Sequence, residues 1–139
     1  VGVPMFKQVV LDSQTTVSGS GVGSWTTGLG YFRQIDAYVR FSAAGGTTPT
    51  IDLFIDTRLD GTNVFNLGHL LQETTNASAG RVVHLTKGAT TAADYASFEV
   101  DAGAGTIRSL AWGDDLRIRR AIAGTSPSYS YVVTLNCIA

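Results

Sequence analysis

Cysteine is nearly absent from this sequence of 139 residues, and neither sign of charge is in excess. The single cysteine, Cys137, excludes an internal disulfide framework. Ten lysine and arginine residues against eleven acidic residues leave a net charge of −1, so the chain lacks the basic excess with which proteins bind a phosphate backbone. We therefore expect no direct nucleic-acid partner.

Long apolar runs and leader-like features are also missing. No segment approaches the length of a membrane span, and the first residues, VGVPMFK, lack the charged and apolar regions of a signal peptide. We expect no membrane partner and no secretion of the chain.

Catalytic and metal-binding signatures are equally scarce. His69 and His84 are the only histidines, and neither has a second histidine, a cysteine or a carboxylate at a metal-ligand spacing. The glycine-rich stretch 19–25 contains neither a phosphate-loop motif nor a Gly-x-Ser-x-Gly motif. Asp52 and Asp56 would lie about 13 Å apart along a strand, too far to share one calcium ion without a bend. The sequence predicts a protein that is not an enzyme and that has no metal site and no cofactor.

Glycine and apolar alternation are what the sequence has in abundance. Sixteen glycines and a charged fraction of only 15% suit short strands, frequent turns and broad surfaces that meet other protein. Between Gln34 and Ser42, apolar and polar residues alternate with the period of two of a half-buried strand. No window keeps an apolar pattern at helical spacing. We predict one domain over residues 1–139, an all-β, antiparallel β-sandwich of about eight strands that is jelly-roll-like.

A repeat is the most specific feature of the sequence. Residues 36–55 align without a gap on residues 114–133. The matched positions are Asp36 with Asp114, Gly46 with Gly124, Thr47 with Thr125, Pro49 with Pro127, and Thr50 with Ser128. Proline cannot donate to a strand ladder and glycine accepts positive φ, so each stretch is predicted to be a hairpin, with a strand on either side of a turn.

Candidate contact residues come from three places in the chain. Arg117, Arg119 and Arg120 put three guanidinium groups within four positions, which predicts either a contact with a neighbouring subunit or a solvated strand edge guarded by charge. Trp25 lies beside glycine-bearing turns and is interpreted as a cover for one end of the core or as an interface anchor. Residues 1–6 could form an extended arm in which Met5 and Phe6 grip a neighbour, or an ordinary edge strand.

The ordered set of these motifs resembles small structural proteins of tailed bacteriophages. It comprises the segment VSGSGVGSWTTGLGYFRQIDAYVRFSAAGGTTPTIDLFIDTRLDGTNVF and the later segment LRIRRAIAGTSPSYSYVVTL, which together run from about Thr16 to Leu135. The resemblance implies a head decoration or cement protein, made in the host cytoplasm and carried on the outer surface of the virion head. It further implies a homotrimer whose partner is the major capsid protein.

Two other functions stay open on the sequence. Tail and baseplate accessory proteins resemble this chain as well. A carbohydrate- or receptor-binding β-sandwich is the alternative from a different class, and it would need an exposed row of aromatic side chains, which only Tyr129 and Tyr131 approach.

Overall fold

Two strands of about 25 residues each form the centre of the structure. The computed structural model describes residues 5–74, 80–88, 101–108 and 111–139. In chain order the strands are β1 (Phe6–Val17), β2 (Gly21–Val22), β3 (Gln34–Arg58), β4 (Val64–His69), β5 (Gly80–Thr86), β6 (Thr106–Ile107) and β7 (Asp115–Ile138). They form one antiparallel sheet, and the described residues contain no helix, which confirms the all-β prediction.

The long strands β3 and β7 pair along nearly their whole length and have different neighbours at their two ends. The first half of β3 and the second half of β7 lie between β5 and β1, which gives the strand order β5-β3-β7-β1. We call this the four-strand section. The second half of β3 and the first half of β7 lie between β4 and β2, with β6 beyond β4, which gives the five-strand section.

The two predicted hairpins are wrong. Residues 36–55 stay within β3 and residues 114–133 stay within β7 apart from Asp114, and the two stretches pair with each other. Thr47 pairs with Thr125, its own counterpart in the repeat. The glycine and proline signals mark register shifts on either side of this pair, where the backbone departs from a regular strand without reversing.

A local twofold relation therefore connects the repeats. Gly46 has φ 110° and Gly124 has φ 115°. A Cβ atom on Gly46 would lie 2.6 Å from the carbonyl oxygen of Ser126, and one on Gly124 would lie 2.7 Å from that of Thr48. Each repeat thus supplies a glycine that fits against the Thr/Ser-Pro backbone of the other. This mutual fit allows regular pairing of β3 with β7 to resume on either side of the two glycines.

One hydrophobic core contains side chains from both sections. Alternate residues of the long strands point into it, as the period of two predicts between Ile35 and Phe41. Trp112 is also buried and donates its indole N–H to the carbonyl oxygen of Leu29 at 3.2 Å.

Predictions for the shorter strands have mixed outcomes. The strand predicted at Arg81–Leu85 is confirmed within β5. Of the described residues in the strand predicted at Ile107–Trp112, only Ile107 lies in a strand, as part of β6 (Thr106–Ile107). The one predicted over residues 95–100 lies outside the described residues. The described part of the chain therefore has seven strands where about eight were predicted.

The turn predicted at Asp60-Gly61 is confirmed between β3 and β4. Asp60 Oδ1 accepts hydrogen bonds from the backbone N–H groups of Thr62 at 2.9 Å and Asn63 at 2.7 Å, and Gly61 has φ 78°. These bonds, that of Asn63 first, lower the pKa of the Asp60 carboxyl to about 2.

Candidate functional site

The outer face of the four-strand section exposes several large apolar side chains. We define this outer face by the side chains that alternate away from the core on β5, β3, β7 and β1. They include Val82, Tyr38, Thr134 and Val10, which lie side by side across the strands because Tyr38 pairs with both Val82 and Thr134, and Val10 pairs with Thr134. We call these four residues the Tyr38 row.

Three of the four side chains in the Tyr38 row are large, apolar and solvent-exposed. The exposed fractions are 67% for Val82, 42% for Tyr38 and 58% for Val10. Val132, next to the row on β7, is exposed as well. A groove of about 400 Å³ is lined by three members of the row, Tyr38, Val82 and Thr134, and by neighbours that include Arg40. Several exposed apolar side chains on a rigid sheet are typical of a protein-contact surface.

A polar row runs beside the Tyr38 row on the same face. Asp36 Oδ1 lies 2.5 Å from His84 Nδ1, and the Thr86 hydroxyl lies 2.9 Å from His84 Nε2. Gln8 donates to Asn136 Oδ1 at 2.9 Å. Together the two rows offer a partner an apolar stripe bordered by hydrogen-bonding groups.

The order carboxylate, imidazole, hydroxyl in Asp36, His84 and Thr86 is that of a catalytic triad. Acyl transfer would also need donors aimed at a developing oxyanion and a site that excludes water. His84 is exposed on an open sheet face, and Asp36 is its direct cross-strand partner. The contacts are those of a cross-strand pair of Asp36 and His84, with the Thr86 hydroxyl at the second imidazole nitrogen.

Met5 and Phe6, predicted as contact residues, lie at the β1 border of the outer face. Both are exposed, and Phe6 begins β1 as its edge residue. The structure therefore describes this end of the predicted arm as part of an edge strand, whereas residues 1–4 lie outside the described residues. The contact role of Met5 and Phe6 stays a prediction.

Trp25 and Arg117, two further predicted contact residues, contact each other in the five-strand section. The half-buried Trp25 ring contacts the guanidinium groups of Arg117, at 4.5 Å from the ring centroid, and Arg58, at 4.2 Å. These are cation–π contacts within the chain.

The predicted arginine cluster is occupied by internal partners. Arg119 donates to both oxygens of Asp56, at 3.0 and 3.3 Å, and to Asp101 at 2.7 Å. Arg117 Nε lies 3.5 Å from Asp56 Oδ2. Arg120 donates to the carbonyl oxygen of Gly19 at 2.9 Å. A contact of these arginines with a neighbouring subunit stays a prediction.

Asp56 lies at the centre of this cluster, and the sequence pattern did not reveal that position. Its side chain has no solvent exposure, and Asn66 donates to Asp56 Oδ1 at 3.0 Å. A strand pattern alone assigns Asp56 to a polar face and cannot show that it is covered. The repeat is the sequence signal nearest to its partner: pairing Thr47 with Thr125 brings Asp56 within one position of Arg117, and the register shift between Thr47 and Thr50 sets the two opposite each other.

His69 and Asp52 form a second polar cluster in the five-strand section. His69 Nε2 lies 2.9 Å from Asp52 Oδ1, and its Nδ1 lies 3.1 Å from the carbonyl oxygen of Ala102. Phe54 stacks on the imidazole ring with a centroid distance of 4.1 Å. Both ring nitrogens therefore have partners within the chain.

Two buried groups have pKa values shifted away from ionisation. Burial raises the pKa of the Cys137 thiol to about 11. Burial and the neighbouring Asp12 carboxylate raise the pKa of Tyr131, which donates to Asp12 at 2.8 Å. Both are neutral core groups at neutral pH.

Within the described ranges, no group of three or more histidine, cysteine, aspartate and glutamate side chains is arranged to hold a metal ion. In the same ranges, no helix is long and apolar enough to cross a membrane. Comparisons with protein-family models, with curated proteins and with solved structures found no match to this chain.

Proposed function

We propose that this protein is a structural component of a virion, namely a decoration or cement protein that binds the outside of a tailed-bacteriophage head. In this proposal it bridges neighbouring copies of the major capsid protein and so stabilises the shell. The observation that carries the proposal is the Tyr38 row, which exposes three large apolar side chains on a rigid sheet in a chain of low charge. The resemblance of the motifs to those of tailed-bacteriophage structural proteins is the reason for proposing a virion as the assembly.

A protein of this class needs contact area and stiffness. The Tyr38 row lies across four hydrogen-bonded strands, so its side chains keep fixed spacings and lose little backbone freedom on docking. Fully burying an apolar side chain of this size is worth about 1.5–3 kcal/mol, and association itself costs several kcal/mol. A single row of this kind gives modest affinity, which a repeating shell would raise through many simultaneous contacts.

We also propose that the four-strand and five-strand sections face each other as the two layers of a β-sandwich. The support is the single hydrophobic core to which both sections contribute, with the long strands passing from one layer to the other at the Gly46 and Gly124 crossing. The jelly-roll order and the homotrimer stay predictions.

Co-sedimentation with empty, expanded capsids tests the function. We expect the protein to pellet with capsids at a fixed ratio and to raise the temperature at which they fall apart. Val82→Lys should weaken this binding at least about tenfold, because it places an ammonium group in the apolar row. Val22→Lys is the matched control, since Val22 is an exposed valine of the five-strand section.

Other outcomes would contradict the proposal in different ways. Binding to purified tails and not to heads would assign the protein to the tail or baseplate instead. Binding to glycans without capsid affinity would favour an adhesion module, although Tyr129 and Tyr131, the aromatics considered for that role, are buried. Equal capsid binding by the Val82→Lys variant would exclude the outer face as the docking surface.

A further inference from the structure

The outer edge of β1 is a self-complementary surface. Among the described residues, β1 pairs only with β7, so its other edge is free of strand partners in that part of the chain. Met5 accepts a hydrogen bond from the N–H of Ala139 at 2.9 Å, which makes Met5 and Ala139 a hydrogen-bonded pair. By the alternation of an antiparallel ladder, Phe6, Gln8 and Val10 direct their backbone N–H and C=O groups away from β7.

These three residues combine free backbone groups with uncharged side chains. Phe6 and Val10 are exposed apolar residues on the outer face, and Gln8 lies between them. Natural edge strands are usually guarded by charge, proline or a bulge. Along this edge, the first irregularity is the register shift between Val10 and Asp12, so residues 6–10 form a regular stretch whose one charged residue, Lys7, lies on the face opposite to the outer face.

We propose that this edge pairs with the same edge of a second copy of the chain, antiparallel and about a twofold axis at Gln8. In that register Phe6 lies opposite Val10 of the second copy, Gln8 lies opposite Gln8, and Val10 lies opposite Phe6. All three pairs use the outward-directed backbone groups, which together make six N–H···O bonds across the axis. The side chains match at the same time, with two aromatic–aliphatic pairs around one amide pair.

No like charges lie directly opposite each other in this arrangement, and the two Lys7 residues are diagonal neighbours on the face opposite to the outer face. Lys7, the basic residue of the stretch, lies opposite Val9 of the second copy. On the opposite edge of the four-strand section, Lys87 donates its backbone N–H to Arg33 on the β3 side, so the groups of His84 point outward by the same alternation. A twofold pair of β5 strands about His84 would place two imidazoles in contact.

The pairing predicts a dimer in solution, whereas the motif resemblance implies a homotrimer. It would extend the outer face across two copies. The strand order becomes β5-β3-β7-β1 followed by the same four strands in reverse, an eight-stranded sheet with one continuous outer face. The Tyr38 row of each copy, which ends at Val10, would then meet Phe6 of the other. This inference goes beyond the proposed function and does not rest on it.

Sedimentation velocity of the purified chain tests the pairing. We expect a species of twice the 14.6 kDa chain mass. Gln8→Lys and Gln8→Glu should each raise the dissociation constant at least about tenfold, because each places two like charges opposite one another on the axis. Mixing the two variants should restore a dimer that contains one chain of each, since the charges are then opposite.

Val82→Lys is the matched control, because it adds the same charge to the same face at the far edge and should leave the dimer intact. A monomer at every concentration, or a trimer that the Gln8 variants leave unchanged, would overturn the proposal. So would a mixture of the two Gln8 variants that stays monomeric. These results are independent of capsid binding, which is measured by co-sedimentation.

Discussion

At the scale of single residues, the buried Asp56 carboxylate is held by partners within the chain. Asp56 has no solvent exposure and contacts Arg117, Arg119 and Asn66, which belong to β7 and β4. A buried carboxylate is tolerated only when such partners replace its hydration. The cluster therefore fixes the register of three neighbouring strands in the five-strand section.

Replacing Asp56 should be costly for this reason. We expect Asp56→Ala to lower the free energy of unfolding by about 3 kcal/mol, because it leaves two guanidinium groups without their shared partner. Asp101→Ala removes a carboxylate that is about half exposed and pairs with the same Arg119, and it should cost about 1 kcal/mol or less. Urea unfolding of the two variants measures the difference, and equal losses would contradict a central role for Asp56.

Asp60 gives an acid-dependent prediction. Its pKa in the folded chain is about 2, below the ordinary value of 3.8, so its ionised form is favoured by folding. The stabilisation it provides is present above about pH 4 and is lost as the pH falls toward 2. We expect the stability difference between the native chain and Asp60→Asn to shrink across this window. Titration of the Asp60 carboxyl by NMR checks the value directly, and a midpoint near 3.8 would contradict it.

At the scale of elements, the irregular pairing of β3 with β7 around Thr47 and Thr125 depends on two glycines. Gly46 and Gly124 combine positive φ with close contacts to the opposite strand. The two positions have nearly equal geometry because the repeats are related by the local twofold. Substitutions at the two sites should therefore have matching effects.

We expect Gly46→Ala and Gly124→Ala each to destabilise the fold by about 2–3 kcal/mol, from φ strain together with a steric clash. Two controls separate these causes. Gly61 has φ 78° and open space around it, so alanine there should cost about 1 kcal/mol, from strain alone. Gly45 has open space and no positive φ, so alanine there should cost less still. Thermal unfolding of the four variants would reveal any departure from this order.

The strands that could be predicted from the sequence are those in which local pattern is sufficient. Alternation from Ile35 to Phe41 identified the core side of β3, and Asp60-Gly61 identified a real turn. The hairpins were wrong because glycine and proline give the same local signal for a turn and for a bulge. The partner of each irregular stretch lies in the other repeat, and the Asp56 cluster depends on that same long-range register.

At the scale of the whole molecule, the two sections are parts of one cooperative structure. Both contain segments of β3 and β7, and both contribute to the same hydrophobic core. Unfolding of either section would therefore expose core side chains of the other. The structure therefore predicts a single unfolding transition.

The two tryptophans allow this prediction to be tested. Trp25 reports on the five-strand section through Arg58 and Arg117, and Trp112 lies against Lys87, which follows β5 of the four-strand section. Trp25→Phe and Trp112→Phe each leave one tryptophan. In each variant, we expect the midpoint of the fluorescence transition to equal the midpoint of the circular-dichroism transition. A fluorescence change that precedes the loss of strand signal in either variant would show that one section unfolds first.

The junction formed by Gly46 and Gly124 indicates how such a chain could arise. Two separate copies of one half-length peptide, meeting about a twofold axis, would build the same junction, so joining their genes would preserve it without any rearrangement. After such a fusion the outlying strands could diverge independently. The two glycines could not diverge in this way, because each packs against the proline-bearing backbone of the other half.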